Sequence, residues 1–166
     1  MKKKEIFILL FLVLLGFSGC EKDDICAAET PTTPQLVIEF YDDASTASKA
    51  VTKLKIQEIG TNTVLGIFDS AKIKIPLKTN SDDVKYSFTL NSDKPLFINS
   101  DNLEFTYLRN SVYISRACGY KTLFTLNNNS PIKTDNVTPN DFWIKKIIVT
   151  KPNILNEDET HIKIYF

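Results

Sequence analysis

Three cysteines, a single histidine and three short runs of carboxylates are the side chains of this 166-residue chain that could carry chemistry. A Ser-His-Asp or Cys-His centre would have to use His161, and zinc would need more histidines and free thiols than the chain offers. His161 stands in Thr160-His161-Ile162-Lys163-Ile164-Tyr165-Phe166. Strict alternation puts it beside Lys163 and Tyr165, opposite Ile162, Ile164 and Phe166, which predicts a solvent-facing strand residue rather than a general base. The acidic runs Asp42-Asp43, Asp82-Asp83 and Glu157-Asp158-Glu159 could serve a glycosidase or a calcium site. Each falls in an expected turn and none has EF-hand spacing, so solvated turns are the reading. There is no Gly-x-Ser-x-Gly elbow, and five glycines build no phosphate-cradling loop. The sequence therefore assigns no catalytic residue, no metal ligand and no cofactor, and points to a protein that binds rather than reacts.

Recognition could rest on the aromatics, which make up 11% of the chain. In Asp141-Phe142-Trp143-Ile144 one of the two adjacent rings could face outward as a glycan-stacking platform, so Phe142 and Trp143 are its candidates; the alternative is that both fill the core. Arg109 and Arg116 flank Val112 and Ile114, and arginine is enriched at interfaces. Nucleic acid is not an expected partner, because 20 basic residues balance 20 acidic ones.

Several stretches carry targeting information. Residues 1–19 form a basic start, Met1 to Lys4, then an apolar run from Ile6 to Phe17, too short to span a bilayer. The following Phe17-Ser18-Gly19-Cys20 resembles the lipobox of bacterial lipoproteins, with Phe in place of the usual Leu. That resemblance implies cleavage before Cys20 and lipidation of its thiol. Removing Lys2, Lys3, Lys4 and Glu5 with the leader leaves 17 basic and 19 acidic residues, so no polybasic patch assists the anchor. Lys22-Asp23-Asp24 behind the cysteine resembles the export signal of Bacteroidota lipoproteins. It implies the outer face of the outer membrane, with the periplasmic face as the alternative. Asp69-Ser70-Ala71 fits the short O-glycosylation acceptor of the same bacteria, with Ser70 as the candidate. With Cys20 lipidated and the route oxidising, Cys26 and Cys118 are expected to pair, the alternative being two free thiols.

The elements behind these residues are strands. Leu36 to Tyr41 is rich in β-branched and aromatic residues, and Lys53–Ile56 and Lys72–Ile75 alternate. Val84, Tyr86, Phe88 and Leu90 share one face, as do Leu103, Phe105 and Tyr107. Val64–Phe68, Val112–Ala117, Tyr120–Leu126, Phe142–Thr150 and His161–Phe166 complete the set. Turn signals separate them, among them Asn80 to Asp83, Asn91 to Asp93, Asn99 to Asn102 and Asn127 to Pro131. Asp42 to Val51 lacks the broad apolar face of a helix. About ten short strands predict an all-β, antiparallel two-sheet β-sandwich, Ig-like or jelly-roll-like. The domain is expected over 35–166, behind a lipidated tether over 20–34 whose Pro31-Thr32-Thr33-Pro34 favours extended backbone.

Asp23-Asp24-Ile25-Cys26, Thr33-Pro34, Phe40-Tyr41 and Ser115-Arg116-Ala117-Cys118-Gly119-Tyr120-Lys121 together resemble a family of small Bacteroidota lipoproteins classed as a domain of unknown function. The likeness covers most of the chain after Cys20. It supports a lipoprotein, a cysteine pair and a β domain, and brings no enzyme activity, ligand or cofactor. The expectation is a non-enzymatic outer-membrane lipoprotein, anchored to the membrane by its N-terminal lipid, that binds an envelope protein or a glycan. A glycan-binding accessory module and a small hydrolase with an unrecognised carboxylate site are the alternatives.

Overall fold

A computed structural model describes residues 25–61, 63–135 and 141–166. Cys20, Lys22, Asp23 and Asp24 lie outside the described residues. Eleven strands follow in order: β1 Leu36–Tyr41, β2 Leu54–Glu58, β3 Val64–Phe68, β4 Lys72–Ile75, β5 Asp83–Leu90, β6 Asn99–Ser115, β7 Gly119–Leu126, β8 Ile132–Asp135, β9 Lys146–Val149, β10 Asn153–Ile154 and β11 Ile162–Tyr165. No helix occurs among the described residues. One sheet has the order β4-β1-β11-β9; the other runs β10-β7-β6-β5-β2-β3, with β8 also on β6. This is a two-sheet all-β architecture, as the alternation predicts.

The described chain divides into two units. The larger comprises Pro31–Val112 and Lys121–Phe166, and the smaller joins residues 25–30 to Tyr113–Tyr120.

In the larger unit the one-sided strands supply the core. β1 contributes Leu36, Ile38 and Phe40, β11 contributes Ile162 and Ile164, and β4 contributes Ile73 and Ile75. From the second sheet Ile56, Val84, Tyr86, Phe88, Leu103, Phe105 and Tyr107 join the same cluster. Full burial of a side chain of this size stabilises by about 1.5–3 kcal/mol, so these residues carry most of the fold's driving force. Two tyrosines also satisfy the chain segment that leaves β4. Tyr107 Oη accepts the Lys78 N–H at 2.9 Å, and Tyr86 Oη donates to the Pro76 carbonyl at 2.8 Å. Burial pushes the Tyr107 hydroxyl up to about 12 and raises that of Tyr86 as well.

Four sequence expectations change. First, β1 and β11 pair in parallel, Ile38 with Ile162 and Phe40 with Ile164, in an otherwise antiparallel arrangement. Second, Asn99 to Asn102 is not a turn but the start of a single 17-residue strand. The ladder to β5 sets Leu90 against Asn99 and Ser87 against Asn102, and backbone pairing overrides the turn preference of Asn and Ser. Third, the expected tether is ordered against the domain from Thr33 onward. Thr33 Oγ1 accepts the Thr122 N–H at 2.9 Å, and Pro34 is buried. Fourth, His161 is not exposed. The residue is 1% accessible, and its ring Nδ1 accepts the Val37 N–H at 2.9 Å while the His161 backbone N–H donates to the Val37 carbonyl at 3.0 Å. The imidazole stands in for the carbonyl that a regular β11 would have offered β1, which is why it turns inward.

Candidate functional site

The larger unit places the candidate rings in a polar clamp rather than on a surface. Trp143 is 6% exposed, packs edge-on against Phe166 at 5.5 Å, and donates its indole N–H to the Phe88 carbonyl at 3.0 Å. Phe142 is half-buried, with the Lys133 ammonium 4.0 Å from its ring centroid. Trp143 is therefore a core ring and not an outward-facing one, while Phe142 is half-buried with a cation over one face.

Beside them lies a residue the sequence reading missed. Asp101 is fully buried and accepts the Ile144 N–H on Oδ2 at 2.8 Å; its buried Oδ1 has no hydrogen-bond partner among the described residues. The ammonium of Lys133 donates to the Ile144 carbonyl at 2.6 Å. Ile144 is thus held at both its backbone groups, one by a carboxylate and one by an amine. Burial raises the Asp101 carboxyl above the usual carboxylate range, partly offset by the Ile144 N–H and the Lys133 charge. A signal was present: extending the period-2 face of Leu103, Phe105 and Tyr107 backwards puts Asp101 on the core side.

The remaining candidates are engaged elsewhere in the larger unit. Asp42 caps its own turn through the Ser45 N–H at 2.9 Å, and that bond, with Lys49, lowers its carboxyl to about 2. Asp82 pairs with Arg109 at 2.6 Å, and Arg109 also donates to the Thr79 carbonyl. Glu157 accepts Lys74 and the Gln35 N–H, both at 2.8 Å, and Lys74 is the main cause of its lowered pKa. Glu157 also lines a shallow groove of about 230 Å³ with Pro31, Pro34, Leu155 and Asp158, smaller than the usual ligand pocket. Ser70 Oγ donates to the Lys72 carbonyl at 2.8 Å, a bond that an O-linked sugar would remove. Its neighbour Asp69 receives both the N–H and the ammonium of Lys53, whose backbone sits at φ 46°. Asp69 thereby holds a left-handed lysine that would otherwise be strained. No cluster of three or more His, Cys, Asp or Glu suited to a metal occurs among the described residues.

The smaller unit is organised by a covalent bond. Cys26 and Cys118 form a disulfide across 92 residues of sequence, with Cα atoms 4.9 Å apart. Ser115 Oγ accepts the Cys118 N–H at 3.1 Å and closes the turn at the end of β6. Gly119 follows at φ 69°, a conformation L side chains rarely adopt, so the turn needs glycine there. Tyr113 and Tyr120 flank this turn. Their rings meet edge to face at 5.3 Å and remain 57% and 71% exposed. Ile25, next to Cys26, is 81% exposed. Arg116 belongs to the same turn.

Fold and sites together define a two-sheet β protein with a disulfide between Cys26 and Cys118. The model of a family of unknown function, DUF6452, matches residues 50–166, and the chain belongs to that family. No curated protein and no solved structure matches it.

Proposed function

We propose that this chain is a lipid-anchored, non-enzymatic binding or assembly module of a bacterial outer membrane, displayed on the cell surface. The observation that carries the reading is the order of elements at its start. A basic tetrapeptide, a twelve-residue apolar run and Ser18-Gly19 lead into Cys20, and Lys22-Asp23-Asp24 comes directly after. Cys20 is then the acylated N-terminus. One acyl chain binds a membrane only marginally, and the two or three carried by a bacterial lipoprotein cysteine are enough to hold it. The Cys26–Cys118 disulfide supports the same address, since such bonds persist in oxidising compartments. The binding role is supported by the state of the reactive side chains. His161 Nδ1, Asp101 Oδ2 and Glu157 Oε1 accept the backbone N–H groups of Val37, Ile144 and Gln35.

Protease shaving of intact producing cells tests the address. Digestion of the protein without lysis is expected; protection until the outer membrane is breached would place it on the periplasmic face. Crosslinking on intact cells tests the role, with one reproducible envelope neighbour expected and none counting against assembly.

A further inference from the structure

The geometry points to a membrane-contact foot: Tyr113 and Tyr120 flanking the Cys118 turn, with Ile25 beside its disulfide partner Cys26, rest in the headgroup layer of the bilayer that holds the lipidated Cys20. The inference rests on the anchored reading above and adds which part of the folded protein touches lipid. Five residues lie between Cys20 and Cys26, and a fully extended chain over those six steps spans about 20 Å. The disulfide transfers this restraint from Cys26 to Cys118, so the turn is tied to the anchor by a short covalent path. Tyr113 and Tyr120 on either side of that turn are largely exposed although their rings meet edge to face. Tyrosine has an apolar ring and a polar tip, and concentrates where hydrocarbon meets water. Ile25 adds an exposed aliphatic group in the same unit. The described residues of that unit carry one acid, Glu29, and one base, Arg116, so contact would come from the rings and not from attraction to anionic lipid. Another exposed apolar group, Leu96-Phe97-Ile98 between β5 and β6, is as prominent but has no short covalent path to Cys20.

The test uses the mature acylated protein, purified from membranes and reconstituted in phosphatidylethanolamine–phosphatidylcholine vesicles containing a gadolinium-chelate headgroup lipid. Backbone amide signals report proximity to the lipid surface. Relaxation at Tyr113, Tyr120 and residues 25–30 is expected to exceed that at Leu96–Ile98 several-fold, and to change little when salt is raised. Equal relaxation at the two places, or a stronger effect at Leu96–Ile98, would overturn the foot. The double variant Tyr113→Ser, Tyr120→Ser should lower relaxation at the turn several-fold while intact mass still shows the acyl chains and the disulfide. Unchanged relaxation in that variant would mean that the anchor alone sets the distance and would also overturn it. A mature chain whose mass shows no acyl group would overturn the anchored reading itself, and the mass separates that failure from the others.

Discussion

The two units use the same kind of residue in opposite ways. In the larger one, Tyr86 and Tyr107 are buried, and their hydroxyls bind the backbone of Pro76 and Lys78. In the smaller one, Tyr113 and Tyr120 lean on each other and face solvent. The larger unit is held by apolar burial distributed over both sheets, the smaller by a single covalent bond between Cys26 and Cys118. Distributed packing takes Tyr86 and Tyr107 out of solvent. A crosslink requires little core, and frees its aromatics for contact.

Breaking each support should separate the two regimes. The largest effect is expected from replacing both cysteines with serine. On the chain-entropy account a loop of this length is worth about 4–5 kcal/mol, to be read as a fall in the denaturation midpoint. A similar cost, about 3–5 kcal/mol, is expected for Phe88→Ala, which opens a cavity in the core of the larger unit. The cysteine variant should lose its ordered amide signals in 25–30 and 113–120 first; Phe88→Ala should melt the domain cooperatively.

His161→Ala should cost about 1–3 kcal/mol by leaving the Val37 N–H without its acceptor. Burial lowers the His161 pKa from 6.5, because the charged ring would lose its hydration, and Glu159 and Glu157 only partly offset this. Its contribution is therefore complete above pH 6.5 and is lost as pH falls through the lower folded value. Chemical denaturation across this range should show the loss in the wild type and not in His161→Ala.

Asp101 has the opposite sign. Its pKa is raised, so the fold favours the neutral acid, and stability falls as pH rises from 3.8 through the folded value. Asp101→Asn keeps an acceptor for Ile144 and removes the charge, so it should match or exceed the wild type at pH 7, with a flatter pH profile. Asp101→Ala should instead cost about 1–3 kcal/mol. The smallest effect is expected for Tyr113→Ser with Tyr120→Ser, within about 0.5 kcal/mol on stability, because exposed rings have little burial to lose.

Much of the larger unit was legible because period-2 patterning reports a face. Val84, Tyr86 and Phe88 in β5, and Ile162 and Ile164 in β11, point inward as their alternation predicts. The start of β6 was hidden because Asn99, Ser100, Asp101 and Asn102 are turn formers, and the ladders to β5 and β8 with the Thr89–Ser100 hydroxyl pair at 2.8 Å make them strand. His161 was misplaced for a related reason. Alternation assumes that backbone groups bond to backbone groups, and here a ring nitrogen takes over one of those bonds. Trp143 could not be assigned to inside or outside from its neighbours, because it sits where an irregular segment enters β9. In the smaller unit the cysteine pair was legible from compartment and count, but the exposure of Tyr113 and Tyr120 was not, since an edge-to-face pair at a turn leaves no periodic trace.

The central claim is a lipid-anchored domain whose foot is closed by a disulfide. Intact mass spectrometry of the non-reduced mature protein from membranes tests it most directly. The expected result is a chain beginning at Cys20, heavier by its acyl groups and lighter by the two hydrogens of one disulfide, with peptide mapping placing that bond between Cys26 and Cys118. A mature chain with an unmodified Cys20, or with Cys26 and Cys118 recovered as thiols, would contradict it.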